Sequence, residues 1–122
     1  ALHAAQDAGG AKVIVQAYAD ADASALRGLA DDLRGMTGRF VAVAVGASDG
    51  KPSLMVAASR DLAAEGFDAV AVVRAAGPMI GGGGGGRPEL AQAGGKDPSR
   101  LDEALREAAR LALEALQRLE AR

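Results

Sequence analysis

The stretch Gly81-Gly82-Gly83-Gly84-Gly85-Gly86-Arg87-Pro88-Glu89-Leu90-Ala91-Gln92-Ala93-Gly94-Gly95-Lys96 decides how this chain is read. Six consecutive glycines between independent domains would be a flexible linker. Here they lie between apolar, strand-like segments and a strongly patterned helix, inside what must be one core. Glycine in that setting points to close approach of backbone to backbone, or of backbone to a ligand.

Working outward, Asp97-Pro98 supplies an N-cap and a first-position proline. A long helix then follows, with Leu101, Leu105, Ala108, Ala112 and Leu119 on one face. Acidic Asp102 and Glu103 near its start, and Arg118 and Arg122 near its end, suit the helix dipole. Upstream, Pro78 ends a segment from Asp61 to Ile80 whose valines favour strand and whose alanines, with Asp68 as a cap, favour helix. Helix is the reading adopted, with support from the resemblance described below. Phe40 to Val45 is apolar on both faces and predicts a central, doubly covered strand. Ser48-Asp49-Gly50-Lys51 is a hairpin signal, because Asp-Gly accepts positive φ readily, and Leu54 to Ala58 is its partner strand. Asp22 caps a helix carrying Leu26, Leu29, Leu33 and Met36, closed by Gly35 and Gly38. Lys12 to Tyr18 reads as a strand. Residues 1–10 are alanine-rich and read as the end of a preceding helical segment stopped at Gly9-Gly10, with a globular domain over 11–122. The expected fold class is α/β: a single small domain with a mixed β-sheet and covering helices, its Leu90 to Ala93 segment a short strand.

The ordered run of glycines, then Arg87, Pro88, Glu89, Leu90, Ala91, Gln92, Ala93, Gly94 and Gly95, resembles the signature of the C-terminal globular domain of alanyl-tRNA synthetases, the DHHA1 type. It departs at Gly83, where many members carry a side chain, often basic. The resemblance implies a non-catalytic module that contacts the outer corner of alanine tRNA and helps aminoacylation and editing modules act on the same tRNA. It implies the rest of the synthetase chain as a partner, and a homodimer supported by the preceding helix. ATP would serve the parent ligase and no cofactor this segment. No apolar stretch approaches the length needed to span a membrane and the N-terminus shows no basic region followed by a hydrophobic one, so a cytoplasmic setting is expected, with neither membrane nor DNA as partner. DHHA1 domains of DHH phosphoesterases are the alternative. They typically follow the glycine run with histidine and Ala-Ala-Gly, where this chain has Arg87 and then Ala91-Gln92-Ala93-Gly94-Gly95, and the Asp-His-His metal motif is absent. A purely structural or dimerisation domain is the third reading.

The residues themselves narrow the function. The 122 residues carry a net charge of −2, so bulk electrostatic attraction to nucleic acid is lacking and any RNA contact must be local. Without cysteine and with His3 as the only imidazole, neither a thiolate nor a zinc site is expected. His3 reads as a surface side chain. Nothing activates a nucleophile, and no catalytic residue is assigned. With one Tyr and two Phe there is little material for base stacking, which favours recognition of a folded RNA through its backbone.

The candidate nucleic-acid contacts are therefore Gly84, Gly85, Gly86, Arg87, Lys96 and Arg100. Backbone N–H groups lacking Cβ neighbours can point at phosphate, and an adjacent arginine can bind its oxygens with two prongs. The alternative for the glycines is a tight packing loop. The run is not a P-loop, since no Gly-Lys-Ser/Thr follows, nor a dinucleotide fingerprint. At Gly94-Gly95-Lys96, the Asp97 carboxylate is expected to occupy the helix-start donors itself. From Arg87 to Arg122 seven basic residues face seven acidic ones, with Glu107 near Arg110 and Glu114 near Arg118 placed to pair.

Overall fold

A computed structural model describes residues 3–8, 11–36 and 38–121. Six strands, β1 (His3–Ala8), β2 (Ala11–Ala17), β3 (Phe40–Ser48), β4 (Lys51–Ala58), β5 (Gly84–Arg87) and β6 (Leu90–Gly94), form one sheet in the order β1-β2-β3-β4-β6-β5. Four helices cover it: α1 (Ala23–Met36), α2 (Arg60–Glu65), α3 (Ala69–Ala76) and α4 (Leu101–Glu120). β2 and β3 run parallel, joined by α1 as a crossover, and every other pairing is antiparallel.

The central strand shows why the sheet can be covered on both faces. In β3, Phe40, Ala42 and Ala44 point toward α1, where they meet Leu26, Ala30, Met55 and Ala57. Val41, Val43 and Val45 point the other way, into a larger cluster with Leu54, Val56, Phe67, Val72, Val73 and Ile80. The period-two alternation of side chains separates these two cores. α4 lies over the second one with Ala104, Ala108, Ala112 and Leu116 buried, and Leu101, Leu105 and Leu119 half-buried beside them. Its contact line is thus centred one residue off the leucine stripe read from sequence, because small alanines let the helix axis approach the sheet.

Local signals act where they were expected. The Asp22 carboxylate accepts from the Ala25 N–H at 2.9 Å and caps α1. Asp49 (φ 52) and Gly50 (φ 75) form the turn between β3 and β4, with Ser48 paired to Lys51. Asp68 caps α3 through the Val70 N–H at 3.0 Å.

Four expectations need correction. His3–Ala8 is a strand, paired with β2 from His3↔Gln16 to Ala8↔Ala11, and not the tail of a helix. Alanine's helix propensity is a weak preference, overridden here by pairing to the β-branched β2. A dimer contact resting on a helix in this segment loses that basis. The expected stop at Gly9-Gly10 and the side chains of His3 and Met36 lie outside the described residues. The single helix over Asp61 to Ile80 is α2, then α3, then a 3-10 turn over Gly77–Ile80; Gly66 (φ 121) ends α2 in a conformation that side chains resist. Finally, the glycine run is no open loop. Gly84–Arg87 is strand β5, and α1 continues through Gly35 to Met36.

Candidate nucleic-acid interface

β5 and β6 form a hairpin whose turn is Pro88-Glu89. Three anchors hold this turn. The Pro88 carbonyl accepts from the Ala69 N–H at 3.0 Å, and the Glu89 carbonyl from the Ala58 N–H at 3.0 Å. Arg34, from α1, donates to the Glu89 carbonyl at 2.7 Å and to the Ala58 carbonyl at 3.0 Å, with its guanidinium 5.9 Å from the Phe40 ring centre. Arg87 thus stands on a fixed backbone while its own side chain is 79% exposed, with only a 4.0 Å approach to Glu89.

The glycines divide by parity. A Cβ on Gly82 would run into the Gly94 carbonyl, and one on Gly84 would lie 2.5 Å from both the Gln92 carbonyl oxygen and Val73 Cγ1. Gly86, at φ +146, is similarly pressed against Leu90 and Ala91. These even positions let β5 lie on β6 and α3, so packing accounts for them. Gly83 and Gly85 meet nothing within 4 Å on their side-chain side, and neither has the positive φ that requires glycine. Their bare backbone faces open space. Because β5 is the last strand of the sheet, one row of its N–H and C=O groups is also unpaired by any strand.

Beside this bare edge lies a cleft of about 520 Å³, lined by Arg27 and Asp31 of α1, Gly85, Gly86 and Arg87 of β5, and Leu90 and Gln92 of β6. Arg27 is fixed there: its Nε and Nη2 both donate to the Gln92 Oε1, at 3.1 and 2.9 Å. Gln92 in turn donates through Nε2 to the Ala23 carbonyl at 2.7 Å. Sequence reasoning missed Arg27. It sits on the polar flank of α1 and approaches the glycines only because α1 crosses the sheet next to β6.

Lys96 and Arg100 are elsewhere. Strand β5 alone, from Gly84 to Arg87, spans roughly 10 Å and separates the two ends of the hairpin. At the far end the two glycine clusters cross, and the Lys96 and Asp97 N–H groups both donate to the Ile80 carbonyl at 3.0 Å. Lys96 shares a second groove with Lys51, Asp22 and Asp49, where the charges of the two signs balance. Asp97 accepts from the Ser99 hydroxyl at 2.6 Å and the Ser99 N–H at 3.0 Å, bonds that hold its carboxyl below the usual range, hydroxyl first. Asp97 therefore caps a 3-10 turn over Pro98–Arg100 that leads into α4, and not the first turn of α4 itself, which begins at Leu101. Arg100 bonds Glu103 at 3.1 Å. Of the six expected contacts, then, the structure gathers Gly84, Gly85, Gly86 and Arg87, and leaves Lys96 and Arg100 apart from them.

Along α4 most of the arginines pair, the exposed Arg106 excepted. Arg110 bonds Glu107 at 2.8 Å and Glu114 at 3.0 Å, and Arg118 bonds Glu114 at 2.8 Å. No aromatic platform is available among the described residues: Phe40 and Phe67 are buried, and Tyr18 packs half-buried against the α1 core. Among the described residues there is also no group of three or more His, Cys, Asp or Glu arranged to hold a metal ion, and no helix long and apolar enough to cross a membrane.

A small mixed sheet bordered by a glycine hairpin, with an arginine-lined cleft at its edge, defines a small α/β domain. Residues 10–114 match the model of the DHHA1 domain. The chain is 50% identical over 113 residues to an alanine–tRNA ligase of Anaeromyxobacter dehalogenans and 48% identical over 96 residues to one of Pelotomaculum thermopropionicum, covering 92% and 79% of this chain. It spans only 12% and 11% of the lengths of those relatives. The crystal structure of the C-Ala domain from Aquifex aeolicus alanyl-tRNA synthetase superposes with a TM-score of 0.73 at 30% identity, over 93% of this chain and 97% of that one. A DHH-domain protein described as a member of the s1p family of ribosomal proteins shares the fold, at 17% identity and a TM-score of 0.64 over 92% of this chain and 28% of that one. The chain belongs to the DHHA1 domain family and is homologous to the C-terminal domain of alanine–tRNA ligases.

Proposed function

We propose that this domain is the tRNA-binding module of an alanine–tRNA ligase. It grips the sugar-phosphate backbone at the outer corner of alanine tRNA, so that aminoacylation and editing modules elsewhere in the same polypeptide act on one bound tRNA. The observation that carries this reading is the exposed Arg87 on an anchored turn beside the bare backbone of Gly83 and of Gly85 on the edge strand β5. Backbone N–H donors with an arginine fork beside them suit phosphate oxygens. Burial of Phe40 and Phe67 removes stacking as a mode of recognition, and the net charge of −2 confines attraction to this locality. Shape recognition of a folded RNA follows from these limits.

In this reading ATP and alanine are handled by other parts of the ligase, in the cytoplasm where translation takes place, and the domain needs no cofactor of its own. Its partners are the tRNA and the remainder of the ligase chain. The reading is tested by titrating the chain with an alanine tRNA transcript over a range of salt concentrations, against an unstructured RNA of equal length. Preference for the folded tRNA, with affinity falling as salt rises, is the expected result. Equal weak binding to both RNAs, or none, would contradict it.

A further inference from the structure

We infer that Arg27 and Arg87 are the two cationic jaws of a single phosphodiester-binding cleft across the Gly85-Gly86 backbone, and that Gln92 is a positioning residue that holds Arg27 in the cleft without neutralising it.

The arginines of the fold differ in their partners. Arg39 bonds three carboxylates, those of Asp61, Glu65 and Glu120, and Arg110 bonds two. Their charge is spent within the fold. Arg27 instead bonds an amide oxygen. The amide oxygen orients the guanidinium without carrying a net charge, so Gln92 leaves the cation's attraction for an anion unneutralised. Two of the five guanidinium N–H donors face Gln92, and three remain for a ligand. Gln92 is itself fixed at the other end by the Ala23 carbonyl, so the Arg27 head is held in advance and loses less freedom on binding.

The cleft between the jaws suits one phosphodiester group and its sugars better than a base. Its floor is the side-chain-free Gly85 backbone, which has no atom within 4 Å on that side. Its walls are the two arginines, with no aromatic ring. Asp31, one turn beyond Arg27 on α1, lines the same cleft and opposes an anion. Its presence keeps the site weak alone and gives the proposal a sign that can be checked. The inference rests on the RNA-binding reading above and adds to it the residues that carry the grip.

The test uses the 122-residue chain, an alanine tRNA transcript, and the slope of log affinity against log salt. Arg27→Gln keeps an amide-sized polar group against Gln92; it is expected to weaken binding roughly tenfold and to lower the salt slope by about one phosphate contact. Gln92→Glu gives Arg27 a carboxylate partner, at the cost of the Nε2 donor to the Ala23 carbonyl, and is expected to weaken binding in the same way because the Arg27 charge is then matched. Asp31→Asn, an exposed change, is expected to tighten binding. Thermal unfolding of each variant is followed alongside. If Arg27 only fastens α1 to β6, Arg27→Gln lowers the melting temperature while affinity per folded molecule and salt slope stay at the parent values, and Asp31→Asn changes nothing. That outcome overturns this inference and leaves the tRNA-binding reading standing. If the parent chain itself fails to bind tRNA, both fall.

Discussion

The exposed surface of α4 and the edge of the glycine hairpin are both rich in arginine, yet they use it in opposite ways. On α4, Arg110 and Arg118 are matched by glutamates three or four residues away, and Arg100, just before the helix, is matched by Glu103, so that among the described arginines of this stretch only the exposed Arg106 stands outside an ion pair. At the hairpin edge, Arg27 is held by a neutral amide, Arg34 by two carbonyls and Arg87 by almost nothing. Counting basic residues would rate α4 the better nucleic-acid surface. Counting unneutralised ones reverses the order. Positive charge left unmatched beside side-chain-free backbone is what the proposed tRNA-binding surface rests on in an otherwise acidic chain.

The largest expected effect breaks the hairpin itself. Gly82→Ala places a methyl group on the Gly94 carbonyl, where backbone meets backbone and cannot yield, so a loss of about 3 kcal/mol or more is expected in denaturant unfolding. Gly85→Ala, three residues on, meets open space; it should leave stability within about 0.5 kcal/mol while weakening tRNA binding. Equal destabilisation by the two changes would remove the division of the glycines into packing and binding positions.

Next in size is Arg34→Ala. It withdraws a charged donor from the Ala58 and Glu89 carbonyls and frees the turn that carries Arg87, for an expected cost of about 2 kcal/mol and a secondary loss of affinity. Amide exchange at Ala58 should quicken with it. Arg87→Ala reverses that balance: roughly tenfold weaker tRNA binding, with a melting temperature close to the parent's. Parallel losses of both would show that the arginine is structural. Arg110→Ala serves as the counterpart on α4, and no change in tRNA affinity or salt slope is expected, since its charge is already matched.

The smallest effect is a pH dependence at the start of α4. Because bonding to Ser99 lowers the Asp97 pKa in the folded state, that bonding stabilises the fold above the ordinary carboxylate range and is lost as pH falls through the lowered value. Asp97→Asn should therefore lower the melting temperature modestly at neutral pH and flatten its decline in acid.

What was legible in the sequence was local. Asp49-Gly50, Asp22, Asp68 and Asp97-Pro98 each specify a turn or a cap through their own backbone and side chain, and each does so in the structure. The Phe40 to Val45 run announced its double burial because both parities are apolar. The missed elements are strands without strand-forming side chains. β5 is glycine except for Arg87, and its extended form comes from pairing with β6. β1 is half alanine, and its form comes from β2. For the same reason the candidate site was only half readable. Gly84, Gly85, Gly86 and Arg87 were visible as a run, but no spacing rule places Arg27 beside Gln92, 65 residues away, or separates Lys96 from Arg87 at opposite ends of a hairpin not foreseen.

The most direct measurement is the change in amide chemical shifts of the labelled chain on adding alanine tRNA. Glycine nitrogens resonate apart from most others, so the hairpin can be followed without interference. Shifts at Gly83, Gly85 and Gly86, together with the Arg27 and Arg87 side-chain Nε signals, and an unchanged α4, are the predicted result. Shifts centred on Arg106, Arg110 and Arg118 with the glycines unmoved would contradict the account.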